Sequence, residues 1–186
     1  MRCSDLRYRK GMRLREYWNE YNYYREETNE LFDSFAGNVK KRGYLTRNDL
    51  MRIFLWKADR VVERNEDELN KVTRRVFEVD HENEGEVKRL LNELTQLDGI
   101  KIPMASVILS ILFPEKYGVF DKNVRKALDG KKYTNSPKAF WDYQIKTREI
   151  AKEQSKLDGK EWFPRDVDKA LWILGKKSEV KKEGVS

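Results

Sequence analysis

The sequence predicts an all-α protein, and three observations predict it. Apolar residues recur at i, i+3, i+4 and i+7 through most of the chain. The stripes are separated by cap and turn signals such as "YLTRND", "TNSPKA" and "WFPRD". No convincing strand run interrupts them.

Each element follows from these signals. Residues 12–36 carry Tyr17, Trp18, Tyr21, Tyr24, Leu31, Phe32 and Phe35 at helical spacings, which reads as two helices. Thr46 is placed to cap the next helix, with Asp49 in its first turn. There Leu50, Ile53, Phe54 and Lys57 share a face. A helix starting at Asn65 is expected to bury Leu69, Val72, Val76 and Phe77. The polar turn "VDHENEG" follows, and His81 reads there as a solvated loop residue. Residues 83–97 bury Val87, Leu90, Leu91, Leu94 and Leu97, and residues 103–112 form a strongly apolar helix. A short helix is expected at 122–128. A long one follows with Ser136 as N-cap and Pro137 in its first position. The last helix begins near Pro164 and is expected to stop at Gly175. The basic tail 176–186 lacks periodicity and predicts disorder.

With four Pro and no linker, residues 1–175 read as one bilobal helical domain. Residues 46–128 form one lobe, and 12–45 with 129–175 form the other.

Composition narrows the function. The 186 residues hold 39 basic against 32 acidic side chains, a net charge of +7. The pI near 9.3 favours an anionic partner, of which nucleic acid is the commonest. Abundant Lys and Glu with only three Gln is also a thermophile-like surface. That explains the density of charge but not its sign. Cys3 is the only cysteine, so no disulfide framework, Cys-rich metal site or thiolate-held iron–sulfur cluster fits. His81 is the only histidine, so a nucleophilic triad could be built only around it. No glycine-rich phosphate loop and no internal repeat is present. No run approaches a membrane span in length, and "MRCSDLRYRKGMRLREYW" lacks the apolar core of a secretory signal. A cytoplasmic, DNA-associated monomer is expected.

The stretch "LDGIKIPMASVIL", residues 97–109, carries the sharpest signal. One helix ends at Leu97, Gly99 supplies a left-handed turn, and Pro103 opens the next helix. Such a turn presents backbone amides and the Lys101 ammonium, a fitting phosphate contact. "FPEKYGVFDKNV", residues 113–124, then brings Asp121 to a helix start. The pattern L-x-G-I-x-x-x-x-A-x-x-I-L, with an Asp after the following loop, resembles the helix-hairpin-helix-GPD superfamily of DNA glycosylases. Detailed resemblance covers residues 83–128.

The resemblance implies a two-lobed fold that grips duplex DNA through Gly99, Ile100, Lys101 and Ile102, often with a monovalent cation at the hairpin. It implies no other cofactor and no metal held by side chains. Asp121 falls in the slot of the catalytic carboxylate. Lys101 replaces the second hairpin glycine, which weakens cation binding and adds a phosphate contact. Pro103 occupies the slot of the Schiff-base lysine in bifunctional members, so base removal without strand cleavage is expected. Lys57, Lys101 and Lys122 are the lysines that could relocate that amine. Trp56 and Trp141 are candidates for the pocket that stacks a flipped base, with Trp162 and Trp172 as further ones. The expected function is base excision repair: a damaged or mismatched nucleotide is flipped and its N-glycosidic bond hydrolysed with Asp121. A non-catalytic helix-hairpin-helix DNA-binding protein is the first alternative, and a helical protein–protein adaptor the second.

Overall fold

The computed structural model describes residues 7–58, 66–128 and 134–183, with side-chain placement for all of these except 24, 26–33, 58, 66 and 179–183. Among the described residues the chain forms eight helices and no strand. These are α1 (Arg15–Arg42), α2 (Arg47–Ala58), α3 (Glu66–Glu78), α4 (Glu84–Gln96), α5 (Ile102–Leu112), α6 (Lys122–Leu128), α7 (Pro137–Asp158) and α8 (Pro164–Glu183).

Local signals set the starts. Asp49 N–H donates to Thr46 Oγ1 at 3.2 Å, and Thr46 N–H donates back to Asp49 Oδ2 at 2.8 Å. This reciprocal pair satisfies two donors that the first turn of α2 would otherwise orphan. Asn83 caps α4 through Glu86 N–H, and Ser136 caps α7 through Ala139 N–H, with Pro137 in the first turn. The two helices expected in residues 12–36 meet at a kink within α1, where Arg25 has non-helical torsions (φ −134°, ψ 19°).

The core is built around α5. Every residue of α5 except Pro103 is buried, from Ile102 through Leu112. A helix apolar on all sides must be surrounded, and α1, α2, α4 and α7 pack against it. The stripe of α4 meets it directly, with Val87, Leu90, Leu91 and Leu94 buried. Leu50, Ile53 and Phe54 of α2 are also buried, as are Leu69 and Val76 of α3. Val72 and Phe77 are only partly buried against the same cluster. Asn65, and the side chains of Tyr24, Leu31 and Phe32, lie outside the described residues.

The segment before α1 is tied down as well. Tyr8 N–H donates to Ala127 O at 2.6 Å. Gln154 of α7 is bracketed by this segment: it accepts from Leu14 N–H and donates to Met12 O, both at 2.8 Å.

Three expectations need correction. His81 is 7% exposed, not solvated. Its ring packs 4.3 Å from that of Phe113, and its Nδ1 lies 2.8 Å from Tyr117 Oη. Burial, with Lys116 nearby, lowers its pKa below the ordinary histidine range. The polar neighbours in "VDHENEG" masked an inward-facing ring.

Gly175 does not end α8, because the helix continues through residues 176–183 of the expected tail to Glu183; residues 184–186 lie outside the described residues. Gly175 has another use. A Cβ there would lie 2.0 Å from the carbonyl oxygen of Asn123, so its bare backbone is what lets α6 rest on α8. The third correction follows: α6, grouped by sequence with residues 46–128, packs most extensively on α8.

Gly175→Ala should therefore destabilise the protein despite alanine's better helix propensity. Propensity returns about 1 kcal/mol. Overpacking costs about 1–3 kcal/mol, at the upper end where the obstacle is backbone. A net loss of about 2 kcal/mol is expected from the urea midpoint at unchanged m-value. Gly37→Ala is the control, since a Cβ there meets nothing within 4 Å, and it should be neutral or stabilising.

Candidate functional site

The segment from Tyr117 to Asp121 has no regular structure yet is buried over residues 117–120. Buried backbone groups need partners, and side chains from three helices supply them. Gln144 of α7 clamps Gly118 twice: its Oε1 accepts from Gly118 N–H (2.8 Å), and its Nε2 donates to Gly118 O (2.9 Å). Asp168 of α8 accepts from Val119 N–H at 2.7 Å. Tyr143 of α7 donates its hydroxyl to Val119 O at 2.8 Å. Ser106 of α5 accepts from Phe120 N–H at 2.9 Å and donates to Pro103 O at 2.7 Å. Gly118 is required here, because a Cβ would lie 2.9 Å from Pro164 O and 3.0 Å from Tyr143 Oη.

This clamped segment delivers Asp121. Its Oδ1 accepts from Asn123 N–H at 2.8 Å, and its carbonyl accepts from Arg125 N–H at 3.0 Å. Asp121 therefore starts α6 as an N-cap. Its other oxygen, Oδ2, accepts from Lys57 Nζ at 2.7 Å. Asp121 and Lys57 side chains are 16% and 22% exposed, so the ion pair is shielded but reachable. Lys57 arrives from α2 because it closes the stripe that begins with Leu50, Ile53 and Phe54. A residue on a buried face points its stem inward.

The pair borders a cleft of about 210 Å³. Trp56, Tyr21 and Trp172 provide aromatic lining, and Val119 and Val124 aliphatic lining. Arg25, at the interruption of α1, and the Arg165–Asp168 pair of α8 complete it. A cleft of this size is below the roughly 300–1,000 Å³ of drug-sized sites and suits one planar ring system.

The hairpin lies between α4 and α5. Leu97 N–H donates to Leu94 O (3.2 Å) and Ile100 N–H to Leu97 O (3.1 Å), while Gly99 takes φ 70°. Ile100 and Ile102 side chains are buried, at 0% and 4% exposure, so they anchor the turn and do not face outward. The Ile100 amide is committed to the turn itself. Lys101 is exposed and precedes α5 as a cap residue without a side-chain capping bond. The outward-facing part of the predicted clamp is thus Lys101, because Pro103 has no N–H and the Met104 and Ala105 amides donate to Lys101 O at 2.8 and 2.9 Å.

Asp121, Lys57, Trp56 and Trp172 come together as candidate site residues. Trp141 does not join them. It is 8% exposed on α7, with the Arg148 guanidinium 5.7 Å from its ring, and is absent from the cleft. Its position in the apolar stripe of α7 made it core. Trp162 is also elsewhere, 6.1 Å from Trp18 with its Nε1 donating to Asp158. Pro103 holds the first turn of α5, and Lys122 is exposed at the start of α6. Tyr21, Arg25, Arg165 and Asp168 also line the cleft, although the sequence does not mark them as site residues. Tyr21 carries only a core signal. The "RDVD" spacing of Arg165 and Asp168 was visible as an i, i+3 pair, but nothing marked it as buried.

Among the described residues, no helix is long and apolar enough to cross a membrane, and no group of three or more His, Cys, Asp or Glu is placed to hold a metal ion. No family model, curated protein or solved structure matches the chain.

Asp121 should show both of its contacts in stability measurements. Asp121→Ala removes a cap, worth about 1 kcal/mol, and leaves a half-shielded ammonium unpaired. It should cost about 1–2 kcal/mol by chemical denaturation. Asp121→Asn keeps the acceptor for Asn123 N–H and should cost under about 1 kcal/mol.

Proposed function

We propose that the protein is a DNA glycosylase-like base-excision enzyme. It binds duplex DNA, flips a damaged or mismatched nucleotide into the cleft and cleaves its N-glycosidic bond. The observation that carries this reading is the Lys57–Asp121 contact of 2.7 Å at a cleft lined by Trp56, Tyr21 and Trp172. An amine and a carboxylate from residues 64 positions apart meet where aromatic rings could stack a base. The helix-hairpin-helix with exposed Lys101, and the net charge of +7, support a DNA partner. A monovalent cation at the hairpin belongs to the same reading.

Two routes share this geometry. In the hydrolytic one, Asp121 stabilises the oxocarbenium that forms as the bond breaks, and orients water. Pro103 in the usual amine slot favours this route. The contact between Lys57 and Asp121 favours a second, covalent route. Asp121 takes a proton from the Lys57 ammonium. The freed lone pair attacks C1′ as the C1′–N bond breaks, and the bonding electrons leave with the base. The base takes the proton held by Asp121. The C1′–O4′ bond of the adduct then breaks as its nitrogen gives up a proton to O4′, which leaves a Schiff base; loss of a C2′ proton to the Asp121 carboxylate then expels the 3′ phosphate.

Borohydride trapping on lesion-bearing duplexes decides between the routes. A trapped adduct that disappears in Lys57→Gln supports the covalent route. No adduct, with abasic sites that break only under alkali, supports hydrolysis. In either case Asp121→Asn should slow base release by about 10²–10⁴-fold with duplex affinity retained. Absence of base release across a lesion panel, with tight duplex binding, would instead support a non-catalytic DNA-binding protein.

Lys101→Glu should weaken duplex binding about equally for all sequences. It should also reduce the slope of log affinity against log salt by about 1. An unchanged slope in the folded variant removes the hairpin from the DNA interface.

A further inference from the structure

Besides Lys57, Asp121 and Arg25, the charged lining of the cleft is Arg165 and Asp168, one turn apart at the start of α8. Their side chains are 12% and 3% exposed. Arg165 donates through one terminal nitrogen to Asp168 Oδ1 and through the other to Tyr21 Oη at 3.4 Å. Asp168 Oδ2 is taken by Val119 N–H.

The two residues are not equivalent towards a ligand. Both oxygens of Asp168 are engaged, and it is almost wholly covered. Arg165 carries five N–H groups in a planar fork. Its side-chain bonds within the described residues, to Asp168 and Tyr21, use two of them. Burial opposes its charge, but Asp168 outweighs burial and holds the guanidinium above its ordinary pKa. The guanidinium-bearing Arg165 lines the same cleft as the rings of Tyr21, Trp56 and Trp172. Arg165 offsets the charge of Asp168, which receives Val119 N–H, and it lines the cleft as well.

We propose that Arg165 selects the flipped base, donating N–H to an exocyclic carbonyl on its edge. The favoured substrates are then bases with a carbonyl where the common alternatives carry an amino group, such as hypoxanthine against adenine or uracil against cytosine. An amino group would set its own N–H against the guanidinium and leave both donors unpaired. A buried unpaired donor is what makes such discrimination large. This inference rests on the glycosylase reading of the cleft.

The test uses one duplex sequence with the target nucleotide placed opposite a tetrahydrofuran abasic analogue, so that base-pairing differences drop out. Hypoxanthine, adenine, uracil and cytosine are compared in single-turnover base release. The same four are compared in equilibrium binding with a 2′-fluoro sugar that resists cleavage. The wild-type protein should favour each carbonyl base over its amino partner by roughly ten- to a hundredfold. Arg165→Met with Asp168→Asn removes the guanidinium and keeps an acceptor for Val119 N–H. It should lose the preference while general duplex affinity is unchanged. Arg165→Lys, which keeps the charge opposite Asp168 but not the fork, should weaken the preference if the double variant does not fold. Equal or reversed preference in the wild-type protein overturns the proposal, as does a preference that survives in a folded variant. Absence of both base release and duplex binding overturns the glycosylase reading itself, which failure of the carbonyl preference alone does not.

Discussion

Everything at the candidate site depends on the clamping of residues 117–121. An irregular segment inside a helical protein leaves its amides and carbonyls without a regular ladder. Here Ser106, Tyr143, Gln144 and Asp168 replace that ladder, each from a helix that is fixed by its own apolar face. The side chains are buried, so their bonds are not shared with water and the segment has little freedom. Asp121 is the residue at which the clamp ends and α6 begins. Its two carboxylate oxygens are accordingly divided, one serving the helix and one reaching Lys57.

The same logic accounts for the aromatic and charged lining. Tyr21 lies edge-on to Trp172 at 5.8 Å and accepts from Arg165. Arg165 in turn holds Asp168, which holds Val119. A chain of contacts thus runs from α1 through α8 to the loop bearing Asp121. Burial raises the Asp168 carboxyl's pKa against the pull of Arg165 and the Val119 amide. The close fit of Gly175 on Asn123 keeps α8 near enough to α6 for that chain to close.

Much of the fold was legible because it is local. The capping pair Thr46 and Asp49, the Ser136–Pro137 start and the Gly99 turn are short-range devices that work in any context. The wide apolar stripes of α4 and α5 likewise specify buried helices without reference to a partner. His81 and Gly175 were misread for one reason: each has a local meaning and a tertiary one. A histidine among charged turn residues looks solvated, and a late glycine looks like a stop. Only the neighbours that pack against them, Phe113 and Tyr117 in one case and the Asn123 backbone in the other, reveal the other use.

By itself the sequence determined the helical class, the hairpin, the exposed Lys101 and the placement of Asp121 at a helix start. Periodicity and capping are encoded within a few residues. Tertiary structure alone decided that Lys57 meets Asp121, that Trp56 borders the cleft while Trp141 does not, and that Arg165 and Asp168 lie at its wall. Those outcomes depend on how α1, α2, α6 and α8 are brought together. A contact between residues 64 apart leaves no periodic trace, and a tryptophan on an apolar stripe looks the same whether its outer edge meets another helix or an open cleft.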